Sequence, residues 1–199
     1  RPHMCGFGGD LFALVYMNET ERIKALNASG YAPSRADREG FKQHGLKDVP
    51  DTGILSGTVP GAVSGWQELL QRFGTKNLDQ LLPEAIYYAE QGFPMYPDLQ
   101  NAIVFRQPLL KQDQNTADLY LPGGKPMTIG RRVVQPQMGQ AYRKLAEQGP
   151  DALYRGVLGQ ALVEHSTRLG GLFREEDLAG YHAEWVDPLC TSYRDFDIC

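Results

Sequence analysis

The sequence predicts a mixed α and β fold, and three observations carry that prediction. Leu11-Phe-Ala-Leu-Val-Tyr-Met17 is a short apolar and aromatic run; across the polar turn Asn18-Glu-Thr-Glu21 it meets the alternating Arg22-Ile-Lys-Ala-Leu-Asn27, and the two read as a strand hairpin. Four later stretches, beginning near residues 60, 78, 138 and 157, repeat apolar residues at helical spacing. Near the end, Tyr193-Arg-Asp-Phe-Asp-Ile-Cys199 alternates as a strand does. The class is α+β, and the spacing alone leaves the order of strands open.

Ahead of the first strand, Cys5-Gly-Phe-Gly-Gly-Asp10 is rich in glycine. A dinucleotide-binding loop needs a helix after its glycines, and a strand follows here, so these glycines read as a tight turn against a second backbone. Asn27-Ala-Ser-Gly-Tyr-Ala-Pro33 forms a loop, with Ser34 placed to cap a helix from Arg35 to about His44. Pro50-Asp-Thr-Gly53 is a turn.

The sharpest stretch begins at Gly57. Pro60 suits the first turn of a helix, and Ala62, Val63, Trp66, Leu69, Leu70 and Phe73 then fall on one apolar face, with Trp66 expected to be buried. Gly61 and Gly65 let a neighbouring backbone come close, and Gly74 ends the helix. Leu78, Leu81, Leu82, Ala85, Ile86 and Ala89 mark a second face that Pro83 either starts or bends. From Tyr96 to Asn115 the pattern weakens, and Leu121-Pro-Gly-Gly-Lys-Pro126 is a loop. A helix through Met138 and Leu145 stops at Gly149-Pro150, and another through Val157 and Leu162 stops at Gly170-Gly171. His165 ends that last face without a carboxylate or second His near it, so it reads as a packed or capping residue.

The chain has 199 residues, 42% of them hydrophobic and 22% charged, enough for one domain with a sizeable core. A formal net charge of −4 without clustered Lys and Arg gives no general attraction to nucleic acid or anionic lipid. The longest apolar run is too short to span a bilayer, which takes about 20 residues. Cys5, Cys190 and Cys199 are few and far apart, and indicate neither a disulfide framework nor a zinc site. No cofactor and no metal are expected. The chain opens at Arg1 without an initiator Met and closes on what reads as a strand cut in mid-course, so the expectation is a soluble piece of a longer protein, cytoplasmic or periplasmic.

The run Pro60-Gly-Ala-Val-Ser-Gly-Trp66, with Phe73-Gly-Thr75, Leu81-Leu-Pro-Glu-Ala-Ile86 and Ala89-Glu-Gln-Gly-Phe-Pro94, resembles the large-subunit core of the γ-glutamyltransferase (γ-glutamyltranspeptidase) family in order and spacing. The turn through Gly8 and Gly9 upstream, and Gly149-Pro-Asp-Ala-Leu-Tyr-Arg-Gly156, Asp177-Leu-Ala-Gly-Tyr181 and Trp185-Val-Asp-Pro188 downstream, are similar to further landmarks of that family. The resemblance implies an N-terminal-nucleophile hydrolase sandwich, two stacked sheets between helical layers, of which residues 1–199 form a single partial domain.

It further implies amide hydrolysis or acyl transfer by a new N-terminal Thr, whose own α-amine takes the hydroxyl proton. That Thr belongs to a small subunit cut from the same precursor, the expected partner in a heterodimer or a dimer of heterodimers. Thr167 and Thr191 are internal and carry no such amine, so no catalytic residue is assigned to this chain, and alone it is expected to be inactive. In the family, an Arg four residues before the Pro of an Ala-Pro pair holds the substrate's α-carboxylate, and counting back from Pro33 lands on Ser29. Losing a charged contact of about 1.5–3 kcal/mol weighs against glutathione-like specificity. Arg35 and Arg38 are the nearby cations, on a helix read as solvated. Asn27-Ala-Ser-Gly30 resembles the divergent branch of acylases and small-amide hydrolases, oxamate amidohydrolase among them. The alternatives are a non-catalytic scaffold subunit and a truncated product.

Overall fold

The computed structural model describes residues 5–199. In chain order the strands and helices are β1 (Leu11–Met17), β2 (Arg22–Ala28), α1 (Arg38–Gln43), α2 (Ala62–Phe73), α3 (Leu78–Leu81), α4 (Pro83–Gln91), β3 (Phe93–Pro94), α5 (Pro97–Leu110), α6 (Gln114–Tyr120), β4 (Arg132–Val133), α7 (Pro136–Gln148), α8 (Asp151–Tyr154), α9 (Val157–Arg168), α10 (Glu175–Ala179), β5 (Glu184–Val186), β6 (Thr191–Tyr193) and β7 (Phe196–Ile198). The fold is α+β, as expected. The chain divides into two compact units, one of residues 7–75 with 150–199 and one of residues 76–149 with Cys5 and Gly6.

In the first unit β1 and β2 form the expected antiparallel hairpin, registered from Leu11 opposite Ala28 to Met17 opposite Arg22. β5 pairs antiparallel with the other edge of β2, giving the order β1-β2-β5. One face of this sheet is covered: Leu26 and Ala28 are buried with Ala183, and Leu11, Ala13, Trp185 and Leu69 of α2 pack on them. The other face presents Phe12, Leu14 and Tyr16, which are 70%, 58% and 57% exposed, beside Val186.

The helix from Pro60 begins at Ala62, and the structure corrects the expectation for its indole: Trp66 is half-buried, while Ala62, Val63 and Gly65 are buried. The reason is close approach. A Cβ on Gly65 would lie 2.8 Å from the Cβ of Ala28, so the small residues, not the large one, meet the sheet.

Helix α1 also differs from expectation. It starts at Arg38, and its cap is Asp37, whose carboxylate accepts from Gly40 N at 2.6 Å. Ser34 is not the cap, because its N–H donates to the buried Asp177. At the other end, residues 191–198 form an antiparallel hairpin, not one strand, since Arg194 takes a positive φ of 57° and turns the chain. That turn sets Cys190 opposite Cys199 with Cα atoms 4.1 Å apart, and a disulfide joins them.

The second unit buries Met95, Leu99, Ile103, Leu121, Met127 and Val133 as its core. Pro83 starts α4 at its first position, where a missing N–H costs nothing. Arg143 of α7 forks onto both carboxylate oxygens of Glu90 in α4, at 2.8 and 2.7 Å. The stretch whose pattern weakens is a single fourteen-residue helix, α5, with Pro108 in its last turn.

Candidate functional site

The loop leaving β2 is irregular backbone held at several points. Asn27 Oδ1 accepts from Ser29 N at 3.0 Å, a local turn that asparagine makes readily. Asp10 Oδ1 accepts from Gly30 N at 3.1 Å. Tyr31 O accepts from Val59 N at 3.0 Å, and Ser29 O accepts from the Tyr181 hydroxyl at 3.3 Å. Three consecutive residues are thus held by four hydrogen bonds. Only glycine fits at position 30, where a Cβ would fall 1.6 Å from Val59 O.

Beside this loop stands the start of α2. Gly61 N and Ala62 N donate to Gly9 O at 3.0 and 2.9 Å, so the glycine-rich turn satisfies two of the four N–H groups that a helix leaves unpaired at its start. This is the second backbone that the glycines were expected to meet. A Cβ on Gly61 would lie 2.0 Å from Ala28 O and 2.6 Å from the Tyr181 hydroxyl. Strand end, glycine turn and helix start therefore share one space.

Three tyrosines lock it. The Tyr154 hydroxyl donates to Pro60 O at 2.8 Å and accepts from Ser64 N at 3.0 Å, while Ser64 Oγ accepts from Ala183 N at 2.8 Å. Tyr181 lies between Tyr154 and Tyr31, with ring centroids 5.6 and 5.5 Å away. The Tyr31 hydroxyl donates to Asp177 O at 2.7 Å. Burial pushes the Tyr154 phenol far above its ordinary range and that of Tyr181 up to about 12, with the charges of Asp10 and Glu184 adding to the latter. Tyr31 is raised too, by burial and by Asp177. All three remain neutral hydrogen-bonding groups. Asp177, 4% exposed, accepts from Ser34 N and Arg174 N, both at 2.8 Å, and ties the loop to the start of α10.

Ser29 sits half-buried in this loop, its backbone committed on both sides, and among the described residues its hydroxyl enters no hydrogen bond. Neither Arg35 nor Arg38 is bonded to the loop. Arg35 borders a cleft of about 570 Å³, and Arg38 borders another of about 540 Å³ with Phe41 and Val49. His165 Nδ1 lies 2.7 Å from Arg168 Nη2 on the surface of α9. Thr167 lines the Arg35 cleft, and Thr191 is exposed in β6. Among the described residues no three His, Cys, Asp or Glu side chains gather as metal ligands, and no helix is long and apolar enough to cross a membrane.

Asp10, Asn27, Asp177 and Tyr154 receive no role from sequence reasoning. Their signal was indirect: each lies in a segment marked by glycine or by the landmarks of the resemblance, but only the fold brings them to one loop.

The arrangement is a platform: hydrogen bonds hold the backbone of residues 29–31, and the half-buried Ser29 hydroxyl stands outside them. The comparisons with known proteins match along the whole chain. The family described as Gamma-glutamyltranspeptidase matches residues 1–199. The chain is 37% identical over 207 residues to the Acylase ACY 1 proenzyme of Pseudomonas sp. (strain SE83), covering 100% of this chain and 37% of that protein. It is 34% identical to the Glutathione hydrolase-like YwrD proenzyme of Bacillus subtilis (strain 168), covering 99% of this chain and 37% of that protein. The Helicobacter pylori gamma-glutamyltranspeptidase structure superposes with a TM-score of 0.91 at 25% identity, over 99% of this chain and 57% of that one. The chain spans little more than a third of the length of these two curated relatives.

Proposed function

The chain belongs to the gamma-glutamyltranspeptidase family, and from that premise we propose that it is the substrate-positioning part of an amide hydrolase or acyltransferase whose nucleophile lies on a partner chain cut from the same precursor. Both curated relatives are named proenzymes, and the resemblance implies the N-terminal Thr chemistry described above. In that chemistry the Thr hydroxyl oxygen attacks the amide carbonyl and its proton passes to the α-amine. The amine product leaves, and water or an acceptor amine then releases the acyl group from the ester. The apolar face formed by Phe12, Leu14 and Tyr16 supports a partner that covers it, since that much adjacent apolar surface is costly to leave in water.

The role of this chain is aim. A carbonyl must sit in line with the nucleophile, and a loop held at residues 29, 30 and 31 fixes one end of the substrate without having to reorganise. The observation that selects among substrates is Ser29 at the position where the resemblance expects Arg. A serine hydroxyl offers one neutral hydrogen bond in place of a bidentate charged pair. The reading is therefore an acylase-type small-amide hydrolase, of the branch that includes oxamate amidohydrolase, with poor use of γ-glutamyl donors. The test is to produce the full precursor, confirm its cleavage into two chains, and compare kcat/KM for a γ-glutamyl anilide, oxamate and an acyl amide. Faster turnover of the acyl amide or oxamate is expected, and the chain without its partner should turn over none of them.

A further inference from the structure

The peptide that joins Ser29 to Gly30 is held at both of its polar groups by side chains from distant parts of the chain. Its N–H donates to Asp10 Oδ1 at 3.1 Å, and its carbonyl accepts from the Tyr181 hydroxyl at 3.3 Å. The first of these is the stronger, since a bond to an ionised acceptor is roughly twice as strong as a neutral one. Asp10 is an exposed carboxylate, and among the described residues it enters no ion pair, so its bond to Gly30 N is not shared with a cation. It also acts on the other end of the peptide: burial, and after it the charge of Asp10, raises the Tyr181 phenol and keeps it a neutral donor.

Asp10 is itself well anchored. The preceding residue, Gly9, receives Gly61 N and Ala62 N on its carbonyl, which fastens the glycine-rich turn to the start of α2. A helix start, a turn and the loop leaving β2 are thereby joined through two consecutive residues. We propose that Asp10 is a positioning residue for the amide reaction, setting the place of the Ser29 hydroxyl through its bond to Gly30 N. The inference rests on the reading of Ser29 given above. Among the described residues that hydroxyl bonds nothing in the chain, so its aim depends on the backbone that carries it. Rotation of the Ser29–Gly30 peptide would move it, and a shift of about 1 Å is enough to cost an enzyme much of its rate.

The test is a double-mutant cycle on the processed two-chain protein, with kcat/KM measured for oxamate and for an acyl anilide, and with intact mass and circular dichroism confirming that each variant is cleaved and folded. Ser29→Ala should lower kcat/KM about fivefold, the worth of one neutral hydrogen bond. Asp10→Ala should cause a comparable loss. In the double variant the loss should stay within about twofold of Ser29→Ala alone, because Asp10 has nothing left to aim. Asp10→Asn, whose amide oxygen can accept the same bond, should recover most of what Asp10→Ala loses. Full activity in Asp10→Ala overturns the assignment. So does a double variant whose loss is the product of the two single losses, which is the mark of a merely structural role, and so does an Asp10→Asn variant as poor as Asp10→Ala. In these cases the loss in Ser29→Ala keeps the reading of Ser29 intact. If Ser29→Ala loses nothing, or the unmodified protein hydrolyses neither amide, that reading fails and the role of Asp10 falls with it, so the two failures are distinguishable.

Discussion

The two faces of the β1-β2-β5 sheet are built from the same strands and end in opposite states. On the covered face Leu26 and Ala28 are nearly inaccessible, and the approach of α2 is so close that glycine is required at 61. On the open face Phe12, Leu14 and Tyr16 stand in water. Strand alternation alone would make one face apolar and the other polar; here both are apolar. The difference teaches that the covered face is complete within this chain, whereas the open face has the composition of a buried surface and fits a partner layer.

The sharpest way to break the comparison is on the covered side. Gly61→Ala places a methyl against Ala28 O and the Tyr181 hydroxyl, and backbone cannot yield as a flexible side chain can. The expected loss is at least about 3 kcal/mol, at the upper end of ordinary over-packing, read by urea unfolding. A loss under about 1 kcal/mol would mean that α2 does not sit where described. Tyr154→Phe comes next, because it strands Pro60 O and Ser64 N in a buried site, and about 1–3 kcal/mol should go with them.

Alkaline titration sharpens the same point. A phenol near 10 in the unfolded chain and raised in the fold favours the neutral native state. The contribution of Tyr181 is thus fully present below about pH 10 and is lost as pH rises through about 12, with Tyr154 and Tyr31 acting in the same direction. Stability that holds constant from pH 9 to 12 would contradict the tyrosine lock. The smallest effect belongs to the open face: Leu14→Lys should change the stability of the chain alone by no more than about 0.5 kcal/mol, yet block its assembly with the rest of the precursor, as size-exclusion chromatography would report.

Much of this was legible beforehand, and the failures have physical causes. The hairpin β1-β2, the helices α7 and α9 and the start of α4 at Pro83 follow from periodicity and proline placement. Helix α5 hid because Val104 and Phe105 lie exposed on it and Pro108 interrupts its end, so no clean apolar stripe remained. Trp66 misled because size suggested depth, whereas close backbone approach favours Gly65. The pairing of Cys190 with Cys199 depends on a turn at Arg194 that nothing in the residue type demands. At the candidate site, counting back from Pro33 singles out Ser29. Asp10, Tyr154 and Asp177 were not, since their partners lie 20, 94 and 143 residues away.

The central claim is that this platform serves an amide hydrolase that lacks the carboxylate-gripping Arg at position 29. It is tested most directly by kcat/KM of the processed two-chain protein for a γ-glutamyl anilide beside a simple acyl amide, before and after Ser29→Arg. The unmodified protein should prefer the acyl amide, and Ser29→Arg should raise γ-glutamyl efficiency by about tenfold or more, the kinetic equivalent of one charged hydrogen bond. Efficient γ-glutamyl turnover by the unmodified protein, with no gain from Ser29→Arg, would contradict the account.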